Sequence, residues 1–229
     1  MSAITPQKYK KRSFIYHKLT AKEYIEISDS AFVVHSAHDQ IGNSGLSDLS
    51  NVLRTGFRGL NAADHLSSVG LPIPEKPNRV EVSANGELVL RLSQKEFWVL
   101  ANPNAQSIGH TSIDKILAAK APKQQCFSLY CQDSHAWMLL SGKHLSKIMA
   151  KLCAVDLSVE AFPVGHIAQT SAARVNVIVV HHQFNEQPCF SLLCDSAAAE
   201  YLWDCLLDAM QEFDGKEIGL FAINDLSRD

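Results

Sequence analysis

The sequence predicts an α+β domain, and two strand-then-helix segments in the second half of the chain carry this prediction. The first segment opens with the apolar run Cys126–Cys131 and then Asp133-Ser134. The second opens with Cys189–Cys194 and then Asp195-Ser196. Short apolar runs that end in Asp-Ser are typical of strands leaving a sheet. We therefore interpret Cys126–Phe213 as two related halves of one domain.

Two amphipathic helices follow these runs, one over Lys143–Cys153 and one over Ala197–Phe213. Their apolar residues recur at helical spacing and predict one buried face each. Ser196 is the expected N-cap of the second helix, and Gly215 is expected to end it. The apolar stripes are Leu145, Ile148, Met149 and Leu152 in the first helix, and Leu202, Leu206, Ala209 and Phe213 in the second.

The remaining elements are predicted from local patterns. Three prolines make Leu71–Asn78 an extended surface connector, because proline lacks an amide donor. Asp39–Asp48 is rich in turn residues. The other predicted elements are a strand at Ala31–Val34, a helix at Ala62–Val69 capped by Asn61, a hairpin of Val80–Val82 and Leu88–Leu92 around Asn85-Gly86, strands at Glu96–Leu100, His166–Thr170 and Arg174–His182, and a helix at Ser112–Lys120.

The predicted organisation has three parts. Residues 1–45 form an N-terminal arm and lead-in strand, 46–215 form the main domain, and 216–229 form a C-terminal tail. The polar segment Ala101–Gln125 divides the main domain into lobes at about 46–105 and 126–215.

The composition of the chain limits which binding partners and which cellular compartment we expect. The net charge of −3 gives no reason to expect nucleic acid or an anionic membrane as partner. No apolar run approaches the ~20 residues of a membrane span, and the basic N-terminus lacks the apolar core of a secretory signal. We therefore expect a cytoplasmic protein. The 6 cysteines lack CxxC spacing, so we expect buried thiols rather than disulfides or a zinc site.

The sequence contains no signature of catalysis or cofactor binding. His35, His38 and Asp39 could offer metal ligands, but a surface loop explains them better. His181 and His182 are adjacent on a predicted strand, so their side chains should point to opposite faces. Asp133-Ser134-His135 holds the residue types of a catalytic triad, yet sequence neighbours rarely form one. We predict no catalytic, cofactor-binding or metal-binding residues.

The N-terminal segment is basic and aromatic. No acidic residue precedes Glu23, whereas the cations are Lys8, Lys10, Lys11, Arg12, Lys18 and Lys22. Tyr9, Phe14 and Tyr16 lie among them. Two interpretations stay open: a frayed tail, or an arm that docks on an acidic partner surface.

An ordered set of short motifs resembles the gamma subunit family of heterotetrameric sarcosine oxidase, from about Gly56 to Gly215. The first ~45 residues show no such resemblance. The motifs are Phe57-Arg58-Gly59, Pro72–Asn78, Leu92–Leu100, Asp133–Ala136, Leu140-Ser141-Gly142, Leu152–Leu157, Ala161–Gly165, Ala168-Gln169-Thr170, Ala199–Trp203 and Glu212-Phe213.

The resemblance implies a fold like the folate-binding domain of glycine-cleavage T-protein, with ferredoxin-like βαβ units in a mixed or antiparallel sheet. It implies a complex that oxidatively demethylates sarcosine to glycine. It also implies FAD, FMN, NAD, tetrahydrofolate and zinc on the alpha, beta and delta subunits. The gamma-like chain is implied to be a structural member that binds no cofactor.

One position departs from the folate-binding relatives, which carry a glutamate that holds the pterin ring. The matching stretch here is His181–Ser191, and Ser191 stands in place of that glutamate. A carboxylate can accept two hydrogen bonds from a pterin edge, and a serine cannot. The expected function is therefore a non-catalytic gamma subunit of a sarcosine oxidase complex. The alternative is a stand-alone tetrahydrofolate-dependent aminomethyl- or methyltransferase.

A subunit of this kind must contribute contact surface, so an exposed apolar patch is expected. The candidates are the N-terminal arm and the connector Leu71–Pro77. Deleting Met1–Lys18 is expected to preserve the melting temperature and weaken assembly.

Overall fold

The computed structural model describes residues 5–27, 30–36, 44–103, 113, 125–184, 186–220 and 222. Within these ranges the helices are α1 (Ala62–Ser68), α2 (Cys131–Ser134), α3 (Leu145–Ala150) and α4 (Ala199–Met210). The strands are β1 (Ala21–Ile27), β2 (Ser30–Ser36), β3 (Ser44–Asp48), β4 (Arg54–Arg58), β5 (Arg79–Val82), β6 (Leu88–Arg91), β7 (Glu96–Leu100), β8 (Phe127–Leu129), β9 (His135–Gly142), β10 (Ile167–Ala172), β11 (Val175–Phe184), β12 (Gln187–Asp195) and β13 (Lys216–Glu217).

A six-stranded sheet in the order β10-β11-β12-β9-β3-β13 forms the centre of the described fold. Its neighbours pair antiparallel, except that β13 runs parallel to β3. β12, α4 and β13 therefore make a βαβ unit whose parallel strands are separated by β9 and β3. This arrangement confirms the predicted α+β class with a mixed sheet.

The two faces of this sheet contribute to different core clusters. Met138 and Leu140 of β9 pack with α3 and α4, whereas the alternate residues Trp137 and Leu139 face the second cluster. That second cluster also takes in the five-stranded antiparallel sheet β5-β6-β7-β4-β8. Side chains alternate along a strand, so the central sheet has helices on one face and a second sheet on the other.

The central strand β9 has no counterpart among the predicted elements. Its burial is continuous from Ala136 to Ser141, as in a strand covered on both faces. Such a run lacks the alternation that identifies a half-exposed strand.

The predicted relation between the two Cys-to-Cys runs is wrong. β8, from the first run, is an edge strand of the five-stranded sheet, whereas β12, from the second, lies inside the six-stranded sheet. Their sequence likeness therefore reflects two unrelated strands of similar composition. The expected N-cap also differs, because Asp195 rather than Ser196 caps the 3₁₀ turn Ser196–Ala198 that leads into α4, with its carboxylate accepting a hydrogen bond from the Ala197 amide at 2.8 Å.

The described part of the N-terminal segment, from residue 5 onward, packs on the rest of the chain, in contrast to both interpretations. Ile15 is 0% exposed and belongs to the core cluster of α3 and α4. Lys18 lies 2.5 Å from Asp204 on α4, so this carboxylate neutralises one cation of the segment, and His17 lies 3.2 Å from Glu200 on the same helix. The Thr20 amide donates to both carboxylate oxygens of Glu217 on β13. Removing Met1–Lys18 is therefore expected to lower the melting temperature, in contrast to the expectation from the sequence.

Other local predictions hold with small shifts. The structure has α1, the β5–β6 hairpin, β7, β10 and β11 at the predicted places. Ser44–Asp48, expected in a turn region, is β3 instead. In the connector, Leu71 and Pro74 are buried and Ile73 is half-buried, so none of its large apolar side chains is fully exposed. The helix predicted at Ser112–Lys120 lies outside the described residues except for Ile113.

The predicted domain boundaries stay a prediction, and the sheets cut across them. β3 and β13 join the sheet of the second lobe, and β8 joins the sheet of the first. Ile218, Leu220 and Ala222 of the predicted tail are buried. Across the described ranges, no helix is long and apolar enough to cross a membrane.

Candidate functional site

A buried polar cluster surrounds Ser191, the residue that the family resemblance places where folate-binding relatives carry a glutamate. Its members are Trp137 on β9, His182 on β11, and Cys189 and Ser191 on β12, each at most 2% exposed. β11 and β12 pair His182 with Cys189, and β9 flanks β12 on its other side. We call these four residues the Ser191 cluster.

The hydrogen bonds of the Ser191 cluster have a defined direction. The Trp137 indole Nε1 donates to Ser191 Oγ at 2.9 Å. An indole N–H can only donate, so the serine hydroxyl is left to donate to His182 Nε2, 2.8 Å away. His182 then carries its proton on Nδ1, which lies 3.3 Å from the carbonyl oxygen of Gln183. The chain of donors therefore runs from Trp137 through Ser191 to a neutral His182.

Burial keeps the titratable groups of the Ser191 cluster uncharged. It lowers the pKa of His182 to about 4, and it raises the pKa of the Cys189 thiol. Cys189 Sγ lies 3.5 Å from His182 Nε2, a distance seen in thiol–imidazole nucleophiles. A nucleophile must reach substrate as a thiolate, whereas this thiol is neutral and 1% exposed. The pair is a packing contact.

The residues at this position do not fit a pterin. Ser191 is 0% exposed, and its oxygen is already used by Trp137 and His182. A pterin edge at Ser191 would have to displace the Trp137 ring, which is itself fully buried. No carboxylate replaces the missing glutamate within the Ser191 cluster.

His181 lies on the opposite face of β11, as predicted. Its ring stacks on Phe162 with centroids 5.7 Å apart and meets Phe190 edge-on. Nδ1 donates to the carbonyl oxygen of Phe162 at 2.6 Å, and burial lowers the pKa of the imidazole. His181 thus fastens the segment before β10 to the sheet, and it shares no ligand site with His182.

The Asp133-Ser134-His135 run does not form a triad. Ser134 Oγ lies 2.8 Å from His135 Nδ1, but these are sequence neighbours at the end of α2. Burial lowers the pKa of His135, and the carboxylates that act on its ring are Asp195 and Glu96 rather than Asp133.

The other metal-ligand candidates are dispersed. His35 lies on β2 opposite Glu23, and His38 and Asp39 lie outside the described residues. In the described ranges, no group of three or more His, Cys, Asp or Glu side chains could hold a metal. All six cysteines are free thiols, five of them buried.

Arg54 is a buried charge that joins the two sheets, and it was not among the residues singled out from the sequence. Its guanidinium donates to the carbonyl oxygens of Ser50, Val52, Cys131, Gln132 and His135. Burial lowers the pKa of Arg54 to about 10. No local motif marks this role, because three of the five carbonyls lie 77–81 residues away from Arg54 in the sequence.

Comparisons with solved structures support the fold. A chain of the heterotetrameric sarcosine oxidase from Corynebacterium sp. U-96, in complex with pyrrole 2-carboxylate, matches with a TM-score of 0.64 and 22% identity. That match covers 89% of this chain and 96% of the other. The glycine cleavage system aminomethyltransferase T from Bartonella henselae matches with a TM-score of 0.67 and 16% identity, over 95% of this chain and 62% of the other.

The amino-acid sequence also matches a known protein family. A comparison with curated proteins gives no match. The family described as the GCVT N-terminal domain matches residues 82–228. This range takes in β6 to β13, with the central strands β9, β11 and β12 of the Ser191 cluster. The chain therefore belongs to the GCVT N-terminal domain family.

Proposed function

We propose that this chain is the non-catalytic gamma subunit of a heterotetrameric sarcosine oxidase, a complex that demethylates sarcosine to glycine. The observation that carries the proposal is the near-complete overlap with one chain of such an oxidase, 89% of this chain and 96% of that one. The aminomethyltransferase overlaps over only 62% of its length. Because the match to the oxidase chain covers nearly all of both chains, it favours the subunit function over the aminomethyltransferase function.

The Ser191 cluster supports a role without chemistry of its own. Its polar groups are turned toward one another and are closed to solvent. In this proposal alpha, beta and delta subunits are the partners in the cytoplasm, and FAD, FMN, NAD, tetrahydrofolate and zinc belong to those partners. In this proposal the complex acts in one-carbon metabolism, and this chain supplies contact surface to the complex rather than a reacting group.

Exposed aromatic residues at the edge strand β8 offer such a surface. Phe127 is 67% exposed and Tyr130 85%, and Leu60 in the adjoining turn is 59% exposed. Leu60 lies beside β8, since the amide of its neighbour Asn61 donates to the carbonyl oxygen of Gln125. Exposed apolar groups of this size are typical of protein contact surfaces. In this proposal they take the place of the arm and the connector.

Co-expression with sarcosine oxidase alpha, beta and delta subunits tests the proposal. The tagged chain is expected to retain all three and to yield a complex that oxidises sarcosine, whereas the chain alone is colourless and inactive. The double variant Phe127→Ser, Tyr130→Ser is expected to keep its melting temperature and lose most of the retained subunits. Failure of the unmodified chain to retain any subunit contradicts the proposal. Retention by the double variant contradicts only the β8 contact.

A second candidate function is a tetrahydrofolate-dependent aminomethyl- or methyltransferase, favoured by the match to the GCVT N-terminal domain family. The closed Ser191 cluster speaks against it. Titrating the isolated chain with tetrahydrofolate separates the two candidates. Saturable micromolar binding selects the transferase, and no binding up to millimolar ligand selects the subunit.

A further inference from the structure

The strand β8 is the open edge of the five-stranded sheet. Within the described residues it pairs with β4 on one side and with no strand on the other. The opposite edge of this sheet is covered, because the Val80 amide on β5 donates to the carbonyl oxygen of Gly165 at 3.0 Å. An open edge offers main-chain donors and acceptors to a further strand.

The main-chain groups of Ser128, at the centre of β8, point away from β4. Gly59 follows β4, and its amide donates to the carbonyl oxygen of Lys95 on the β7 side at 2.9 Å. Main-chain groups alternate in direction along a strand, so those of Arg58 face β8, where Arg58 pairs with Phe127. The next residue of β8 is Ser128, whose N–H and C=O therefore lie on the outer side.

Two copies of β8 can pair antiparallel about a two-fold axis at Ser128. Each Ser128 then donates its amide hydrogen to the carbonyl oxygen of the other, as in a hydrogen-bonded pair of an antiparallel sheet. In this register Phe127 lies opposite Leu129 of the second copy, and Tyr130 lies opposite Cys126. The outward-facing residues of one strand thus meet the outward-facing residues of the other.

The same register covers the exposed apolar side chains of this edge. Phe127 is 67% exposed, Tyr130 85% and Leu60 59%. Phe127 packs on the half-buried Leu129 of the second copy. Leu60 adjoins the start of β8, so Tyr130 at the end of β8 in one copy reaches Leu60 in the other. Burial of these groups from both copies favours association.

The charges at the two ends of β8 are complementary between copies. Arg58 and Lys95 are exposed beside the start of the strand, and Arg58 is paired with Glu96. Lys95 therefore supplies the net charge of that end. Asp133 is exposed just beyond the other end. Antiparallel pairing brings the cationic end of one copy to the acidic end of the other, at both ends of the contact.

We propose that the chain on its own forms a two-fold dimer, in which β8 of a second copy extends the five-stranded sheet. The dimer does not rest on the proposed subunit function. A partner subunit that binds at β8 replaces the second copy, so the dimer is the form of the unassembled chain. Because the isolated chain is tested, failure of the dimer leaves the subunit proposal standing.

Sedimentation equilibrium of the isolated chain measures the association. A short edge contact lies at the small end of protein interfaces, so the dimer is expected to dissociate on dilution. The weight-average mass is expected to rise from 25.3 kDa toward twice that value as the concentration increases from about 10 µM to about 1 mM. A mass of one chain throughout this range overturns the dimer.

Two variants at Ser128 locate the contact. Ser128→Pro removes the outward N–H and spares the hydrogen bonds to β4, and an edge strand tolerates proline. Since the dimer then lacks two main-chain hydrogen bonds, its Kd is expected to rise about tenfold or more. Ser128→Ala keeps the amide and is the matched control, expected to associate like the unmodified chain. Equal association of Ser128→Pro and Ser128→Ala overturns the proposal.

Melting temperatures at about 10 µM show whether both variants fold. If Ser128→Pro does not fold, the double variant Phe127→Ser, Tyr130→Ser decides, because both side chains are exposed and the main chain is unchanged. It is expected to stay monomeric over the whole concentration range. Association of the double variant as strong as that of the unmodified chain overturns the dimer at β8.

Discussion

Burial of His182, at the end of the donor chain from Trp137 through Ser191, gives a pH-dependent contribution to stability. His182 titrates at 6.5 when unfolded, and its pKa falls to about 4 in the folded chain. The unfolded state therefore binds the extra proton between these values, so stability is present above pH 6.5 and is lost as the pH falls toward 4. The expected loss from this group is about 3 kcal/mol.

Urea unfolding at pH 7, 6, 5 and 4 measures this loss. The His182→Asn variant is expected to be less stable at pH 7, since the acceptor for Ser191 is altered, and to show a flatter pH dependence. An unchanged pH dependence in the variant contradicts the assignment to His182.

Ser191 itself is expected to be a stability residue. In Ser191→Ala, the Trp137 Nε1–H and His182 Nε2 both lose their partner inside the core. Each unsatisfied buried polar group costs about 1–3 kcal/mol, and two are created here, so the free energy of unfolding should fall by at least about 2 kcal/mol. Ser128→Ala, on the exposed part of β8, is the matched control and should change little. Equal effects of the two variants in urea unfolding would count against the hydrogen-bond chain.

At the scale of elements, the N-terminal segment should behave as part of the core. Ile15→Ala removes a fully buried side chain between this segment and α4, which costs about 2–4 kcal/mol. The matched control is Lys10→Ala, an exposed residue of the same segment, which should stay within about 0.5 kcal/mol of the unmodified chain. Melting temperatures measure both. A tail would give the same result for the two variants.

At the scale of the whole molecule, Arg54 ties the start of β4 in one sheet to the chain entering β9 in the other. Lysine keeps the charge in Arg54→Lys but has three donors in place of the guanidinium fork. At least two buried carbonyls then lose a partner, so stability is expected to fall by about 3 kcal/mol. Urea unfolding of Arg54→Lys, with Arg58→Lys on the exposed end of the same strand as control, measures the difference. Near-identical midpoints would show that Arg54 does not hold the sheets together.

How well an element could be predicted from the sequence depends on how far apart in the chain its interacting residues lie. Elements with a local period or a local turn residue, such as β7, the β5–β6 hairpin and α4, could be predicted, because their patterns lie within a few residues. β9 could not, because burial on both faces removes the alternation that identifies a strand. The place of the Ser191 cluster was visible only as a departure from a motif, and its closure depends on Trp137, 54 residues away.

The sequence alone determined the α+β class, the family resemblance, the opposite faces of His181 and His182, and the absence of a known catalytic motif. These follow from residue types, short spacings and the order of motifs. Tertiary structure alone decided which strands share a sheet, the burial of Ile15 and the five carbonyl partners of Arg54. These depend on contacts between segments far apart in the chain, whose free energy is gained only when the sheets and α4 are assembled together.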